Sequence, residues 1–183
     1  DTKAFNDGIS GMLGSLAGLV AAFISAQAIV EAFSQAIDMG GRLHDLSTRT
    51  GETAGNLAIL ERAFENTSVG ADKLGPAIAK MQKAMVDMQQ GSKEAASAFE
   101  QLGLSWADLE GKSPSEQLEL IGLRLSAIED PALRAETAMK IFGKSGAELL
   151  PVLTNFSSET AEATRQLGSL PAQLDASASS VDS

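Results

Sequence analysis

The chain has 183 residues and a formal net charge of −10, and it contains no cysteine, no tyrosine and one histidine. Without cysteine it can form no disulfide, zinc ribbon or iron–sulfur cluster, and one histidine excludes metal sites built on several imidazoles. The acidic balance disfavours electrostatic binding to duplex nucleic acid, which requires lysine and arginine against the phosphates. Hydrophobic residues make up 44% of the chain, which is typical of a folded protein rather than a disordered one.

The first predicted element is a long helix near residues 9–39. No charged residue occurs between Gly8 and Val30. Along this helix, apolar and small residues recur alternately four and three positions apart, which is the heptad spacing of a coiled coil. We interpret the residues of this seam as a surface for self-association or membrane contact: Met12, Leu16, Leu19, Phe23, Ala26, Val30, Phe33 and Ile37.

Several environments could bury the apolar surface of this first helix. A second copy, a partner or another part of the same chain could cover it. The uncharged stretch also reaches the length of about 20 residues that spans a bilayer, and Gly14 and Gly18 form a GxxxG pair. No cluster of lysine and arginine flanks the stretch to orient it in a membrane. A signal peptide cleaved near Ala26 is a further alternative, and the sequence leaves all of these open.

The rest of the chain predicts an all-α fold, because good helix formers dominate and runs with a period of two are missing. Serine or aspartate before Pro114 and Pro131 predicts helix starts, and Glu116 completes a capping box at the first of them. A second capping box is predicted at Ser145 with Glu148, and further caps at Ser92 and Ser157. Left-handed helix ends are predicted at Gly103 and Gly168. The expected helices lie near 42–49, 53–67, 72–90, 93–102, 105–110, 114–129, 131–142, 146–154 and 158–167.

Apolar stripes on these helices indicate core faces. Two stripes are Leu57, Leu60 and Phe64, and Leu118, Ile121, Leu125 and Ile128. A third stripe comprises Leu74, Ile78, Met81, Met85 and Met88, and we favour a core face over an adaptable partner surface rich in methionine. The dipeptide Gly75-Pro76 requires that this helix either begins near Leu74 or is kinked there.

The chemical motifs of the sequence do not assemble a catalytic centre, and no cofactor or metal is expected. Gly143-Lys144-Ser145 resembles the end of a Walker A loop, but Ala138 stands where that motif requires glycine. His44 is expected at the surface. Glu61 and Glu65 lie one helical turn apart beside Arg62, which favours a salt-bridged surface over a pair of catalytic carboxylates.

The composition divides the chain into three parts. Residues 1–41 form the long apolar helix, and residues 42–156 form a helical module with charges of both signs, as on a solvated surface. Residues 157–183 form one helix and a tail rich in serine and alanine.

Six segments of the middle part share an order with a known family. They are LSTRTG (46–51), LGPAIAKMQKAM (74–85), a run from Gly91 to Leu109, SPSEQ (113–117), EDP (129–131) and IFGKSGAELLPVL (141–153). In this order they resemble recurrent segments of phage tail tape measure proteins, over about residues 43–153. The core of the family motif is Phe142, Gly143, Lys144, Ser145, Gly146, Ala147, Glu148, Leu149, Leu150 and Pro151.

The resemblance implies a structural protein rather than an enzyme. Tape measure proteins are long, mainly helical chains that set the tail length while tail tube subunits polymerise around them. They occupy the tube lumen in several copies and leave during genome delivery. The implied location is therefore the phage tail of the virion, and the host cytoplasm during assembly.

The implied partners are further copies of the chain, tail tube proteins, tail tip or baseplate proteins, tail assembly chaperones and, after release, a host membrane. No specific binding of nucleic acid is expected. The 183 residues are then expected to be a window onto a longer chain. The alternative function is a pore-forming or secreted helical protein whose first helix inserts into a bilayer.

Overall fold

The structure is a computed structural model that describes the backbone of residues 26–179 and the side chains of residues 38–176. Every regular element in this part of the chain is helical, which confirms the all-α prediction there. Short 3-10 turns at Ala71–Lys73 and Gly143–Ser145 lead into the helices that begin at Leu74 and Gly146. The helices are α1 (Ala26–Thr50), α2 (Ala54–Asn66), α3 (Leu74–Gln89), α4 (Lys93–Gln101), α5 (Trp106–Leu109), α6 (Pro114–Ser126), α7 (Pro131–Phe142), α8 (Gly146–Leu153), α9 (Phe156–Leu167) and α10 (Leu170–Ser179).

One continuous apolar core joins these helices. It extends from Leu43 on α1 through Phe64, Ile78 and Phe99 to Leu174 on α10. Complete burial of a side chain of this size contributes about 1.5–3 kcal/mol each. Because α9 and α10 both pack against α2, the end of the described chain is held by the same core as its beginning.

The three apolar stripes predicted from the sequence face this core. Leu57, Leu60 and Phe64 are buried on α2, and Leu118, Ile121 and Leu125 are buried on α6. Four members of the third stripe are buried as well, and Met88 packs against the core while partly exposed, so the core interpretation is confirmed. The helix begins at Leu74, which places Pro76 in the first turn, where no intrahelical partner for its nitrogen is required.

Most helix ends follow the predicted caps. The Ser113 hydroxyl accepts from the Glu116 N–H at 3.3 Å, while the Glu116 carboxylate accepts from the Ser113 N–H at 2.8 Å. The Asp130 carboxylate accepts from the N–H of Ala132 at 2.8 Å. Ser92 caps α4, and Gly103 and Gly168 adopt positive φ angles of 64° and 57° at helix ends. Local sequence therefore determines these boundaries.

The structure overturns two predicted boundaries. The break predicted at Gly40-Gly41 is wrong, because α1 continues through both glycines to Thr50. Packing of Leu43 into the core holds the helix despite the cost of about 1 kcal/mol for each glycine. The cap predicted at Ser157 is also wrong, since α9 already begins at Phe156.

A helix that the sequence did not predict follows α9. Residues Leu170–Ser179 form α10 in the region that we expected to be a tail. Serine lowers helix propensity, so composition gave no helix signal there. Leu174 is buried in the core and supplies the tertiary contact that composition does not reveal.

Candidate functional site

The side chains of the predicted N-terminal seam lie outside the described ones. Met12, Leu16, Leu19 and Phe23 lie outside the described residues. The other four, Ala26, Val30, Phe33 and Ile37, lie on α1, but their side chains also lie outside the described ones. The seam therefore stays a prediction.

The segment that resembles the family motif folds into a sharp corner between α7 and α8, which we call the glycine corner (residues 142–153). Phe142 ends α7, and Gly143 turns the chain with φ 74° and ψ −162°, a conformation that side chains disfavour. One 3-10 turn then leads to α8, which begins at Gly146. Phe142, Leu149 and Val152 are buried, so the corner is anchored in the core.

Two glycines allow α8 to approach its neighbours. A Cβ atom on Gly146 would lie closer than 3.0 Å to the backbone carbonyl of Ala138 on α7. A Cβ atom on Gly122 of α6 would lie equally close to the carbonyl of Leu153. Since real Cβ atoms do not occupy such positions, α8 is fitted between α6 and α7 at distances that only glycine permits.

The capping box predicted at Ser145 and Glu148 is wrong. The Ser145 side chain makes no capping hydrogen bond. The Glu148 carboxylate instead lies 3.5 Å from the Lys73 ammonium, in a largely exposed ion pair. The preceding 3-10 turn places Ser145 in a helical conformation, so its hydroxyl is not aimed at the first free N–H groups of α8.

A groove of about 410 Å³ opens beside the glycine corner, and we call it the lysine-rimmed groove. Its rim consists of three lysines from two parts of the chain: Lys73, Lys80 and Lys144. Its floor consists of buried apolar side chains: Ala77, Phe142 and Leu149. The aliphatic part of Lys80 lies beside Gly143, since a Cβ atom there would be 3.8 Å from the Lys80 Cδ and Cε atoms.

A second groove of about 580 Å³ lies between α3 and the start of α6. Gln117 lines it and is buried. Its Nε2 donates to the carbonyls of Leu109 and Lys112, both at 3.1 Å, whereas its Oε1 has no hydrogen-bond partner among the described residues. A buried acceptor of this kind is satisfied by a water molecule or by a donor group of a ligand.

The first family segment forms the turn between α1 and α2. The Ser47 hydroxyl donates to the carbonyl of Glu52 at 2.6 Å, and the Thr50 hydroxyl donates to the carbonyl of Leu46 at 2.7 Å. Thr50 also accepts from the Glu52 N–H at 3.3 Å. Gly51 has φ 77°, so the chain reverses at the residue between them. The hydroxyls of this segment therefore fix the turn.

Glu52 is the central side chain of this turn, and sequence reasoning missed it. The residue is only 2% exposed. Its carboxylate accepts from the N–H of Thr53 at 3.0 Å and from the side-chain amide of Asn56 at 2.9 Å. The second oxygen accepts from the N–H of Ser115 in the first turn of α6, at 2.7 Å. One carboxylate thus satisfies donors at the N-termini of two helices, where negative charge is favourable.

A second carboxylate reaches the same helix start from the end of the chain. Asp175 on α10 accepts from the N–H of Gly55 at 2.7 Å and from the hydroxyl of Thr53 at 3.3 Å. Gly55 permits this approach, because a Cβ atom there would lie closer than 3.0 Å to the Pro171 carbonyl. We call residues 46–56 with Asp175 the clamped turn.

The expected salt-bridged surface at Glu61 is wrong in part. Arg62 pairs with Glu65 at 3.4 Å on the surface, as expected, but Glu61 is buried. Its partner is Arg42 on α1, at 2.8 Å. Burial raises the pKa of Glu61, and the nearby Arg42 guanidinium opposes that increase without cancelling it. Helical spacing alone could not reveal this contact between two helices.

Among the described residues, no three His, Asp or Glu side chains are grouped so that they could hold a metal ion. His44 is exposed, as expected. No described helix has both the length and the apolar character needed to cross a bilayer. Neither family models, nor characterised proteins, nor solved structures gave a match to this chain.

Proposed function

We propose that the chain is a structural module of a phage tail tape measure protein. The observation that carries the proposal is the series of six segments, in family order, over about residues 43–153. Short motifs recur by chance, but an ordered series covering most of the chain is far more specific than any one of its members. The proposal assigns a structural role and no catalytic one.

The positions of these segments in the fold support the proposal. The segment at 46–51 forms the clamped turn, and the segment at 113–117 forms the capped start of α6. The segment at 141–153 forms the glycine corner. These are the points where the helices turn and meet. A pattern that recurs as a set is expected to coincide with the joints of one folding unit.

In this role the module would contribute to a ruler. Tail length follows chain length when tube subunits add until the chain inside them is covered, and each helical residue advances 1.5 Å along a helix axis. The chain would lie in the tube lumen with further copies of itself. Its partners would be tube, tip or baseplate proteins and assembly chaperones, and its N-terminal seam would contact other copies or, after release, a host membrane.

An in-frame duplication of residues 42–156 in the parent gene tests the proposal. We expect the tails of the resulting particles to lengthen, by up to about 170 Å if the added residues were drawn out as one continuous helix. Electron microscopy of negatively stained particles measures the difference. A smaller but uniform increase would report a module that stays folded in the lumen.

A matched control separates length from folding. A duplicated copy that carries Gly122→Ala has the same number of residues but a disrupted helix crossing. It should lengthen the tail as much as the intact copy if the added residues are drawn out, and by a different amount if the intact module stays folded. Tails of unchanged length in both strains, with the duplicated protein present in the particles, would refute the proposal.

A further inference from the structure

The lysine-rimmed groove is an unusual surface for an acidic protein. The chain carries 24 acidic and 14 basic side chains, yet three lysines surround this one apolar depression. Within the described residues, Lys80 and Lys144 make no ion pair, and Lys73 makes one at 3.5 Å with the exposed Glu148. Positive charge above an apolar floor favours an occupant that carries carboxylates beside an apolar side chain.

The outer face of α6 presents that combination. Glu116, Glu119 and Leu123 follow one another at helical spacing, opposite the buried stripe of the same helix. Leu123 is 62% exposed, more than any other large apolar side chain among the described residues. Neither glutamate makes an ion pair within the described chain. The Ser157 hydroxyl donates to Glu119 at 2.9 Å, which holds that carboxylate outward from α6 toward α9.

We propose that the lysine-rimmed groove of one copy binds the outer face of α6 of a second copy, with Leu123 over the apolar floor and Glu119 beside the lysines. The two surfaces are different parts of one chain, so the contact is head-to-tail. Each copy then keeps one free groove and one free α6 face, and copies add one after another unless the arrangement closes into a ring. The inference does not depend on the phage assignment.

This contact is distinct from the coiled-coil seam predicted in the first helix. The seam would join copies through apolar side chains alone, whereas the groove contact includes opposite charges at a partly solvated rim. Salt screens such charges, since the Debye length is about 10 Å at 0.1 M. Association through the groove is therefore expected to weaken as the salt concentration rises.

Complementary variants of the full chain provide the test. One variant, Lys80→Glu with Lys144→Glu, disables the groove and leaves the α6 face intact. The other, Glu119→Lys with Leu123→Ser, disables the face and leaves the groove intact. An exposed ion pair contributes up to about fivefold in affinity, so each double variant should associate at least about tenfold more weakly than the parent chain.

Sedimentation velocity over a range of concentrations gives the readout. We expect the parent chain to form a series of species, each variant alone to lose that series, and an equimolar mixture to form pairs and no larger species. Pairs form because the mixture contains one intact groove and one intact face. The control variant, Lys93→Glu with Arg165→Glu, changes the net charge as much as the groove variant does, and it should behave like the parent chain.

Circular dichroism verifies that each variant keeps its helix content and unfolds cooperatively. Two outcomes would overturn the inference: a mass distribution that the groove and face variants share with the parent chain, or a mixture that gains no mass over its separate components. Association through the N-terminal helix gives the first of these outcomes, because the substitutions leave that helix unchanged.

Discussion

In the glycine corner, α8 approaches α6 and α7 so closely that one added methyl group would meet a backbone carbonyl, whereas in the clamped turn two carboxylates bind the start of α2. The corner depends on the close approach of backbones, which leaves no room for a side chain at Gly122 or Gly146. The turn is fixed by hydrogen bonds and requires particular side chains. Both join segments distant in sequence, but only in the second do charged side chains form the joint.

The two joints are therefore sensitive to different substitutions. A steric joint fails when volume is added and is indifferent to salt and pH. A polar joint fails when an acceptor is removed, because its buried donors are then left without partners. Substitutions that add a methyl group should therefore damage the corner most, and isosteric changes of a carboxylate should damage the turn.

The largest effect is expected from Gly146→Ala. The new methyl group would meet the Ala138 carbonyl, so α7 and α8 must separate and the buried contacts of the corner must loosen. We expect a loss of about 3 kcal/mol in the free energy of unfolding, measured by urea denaturation. Gly41→Ala is the control, because a Cβ atom there has open space and alanine favours helix, and it should stabilise by about 0.5–1 kcal/mol. Equal effects at both positions would contradict the steric account.

The next effect is expected from Glu52→Gln in the clamped turn. The amide keeps the size of the carboxylate but replaces one acceptor oxygen with a donor, so either Ser115 or Thr53 and Asn56 lose their partner. We expect a loss of about 2 kcal/mol in the free energy of unfolding. Glu65→Gln, on the exposed side of α2, should change it by less than about 0.5 kcal/mol. If Glu52→Gln lowered the free energy of unfolding as little as Glu65→Gln does, the Glu52 carboxylate would not join α2 to α6.

A smaller effect is expected from Asp175→Ala. This change removes the acceptor for the Gly55 N–H at the start of α2, and the loss of a helix cap costs about 1 kcal/mol. Hydrogen exchange of the Gly55 amide should accelerate along with the fall in stability. Gln173→Ala on the same helix is the control, because Gln173 is exposed and its side chain bonds to Ser169 rather than to Gly55. Amide exchange in this variant should match that of the parent chain. An unchanged exchange rate of the Gly55 amide in Asp175→Ala would show that α10 does not hold the start of α2.

The smallest effect concerns pH and Glu61, which belongs to neither region. Burial raises the pKa of Glu61 above its ordinary value of 4.5, so the folded state binds more protons than the unfolded state just above that pH. Its contribution to stability is therefore greatest below pH 4.5 and is lost as the pH rises through the raised pKa.

Glu61→Gln removes this dependence. Urea denaturation at a series of pH values should show the variant gaining stability relative to the parent chain as the pH rises above 4.5. Asp108 and Glu116 act with the opposite sign, because hydrogen bonds from Ser105 and Ser113 lower their pKa values. The stabilisation from Asp108 and Glu116 is present above their ordinary pKa values of 3.8 and 4.5, and it is lost as the pH falls through the lowered pKa values. A constant difference between variant and parent across the series would contradict the raised pKa of Glu61.

Much of the fold was predictable from neighbours in sequence. The capping box of Ser113 and Glu116 and the buried stripe of Leu118, Ile121 and Leu125 were both expected. Where a local rule competed with a tertiary contact, the local rule failed. The capping box at Ser145 gave way to the glycine contact of the corner, and the break at Gly41 gave way to the packing of α1.

The candidate site was less predictable than the fold. The segments that resemble a known family coincide with the glycine corner and the first turn, but they did not indicate which contacts form there. The acceptors that join distant elements gave no local signal, since Glu52 reaches a donor 63 residues away and Asp175 reaches one 120 residues away. The lysine-rimmed groove likewise depends on tertiary contact, because it is lined by Lys73 and Lys80 from one part of the chain and by Lys144 from another.

Residues close together along the chain specified its helical character in the described part, the ends of most helices and the face of each helix that turns inward. Helix periodicity and caps depend on residues within about four positions, so they can be read along the chain. Three other properties followed from the packing of distant elements: which glycines admit a neighbouring backbone, which carboxylates are buried and which lysines share a groove. Those properties arise from contacts between residues far apart in sequence, which the order of residues along one helix does not specify.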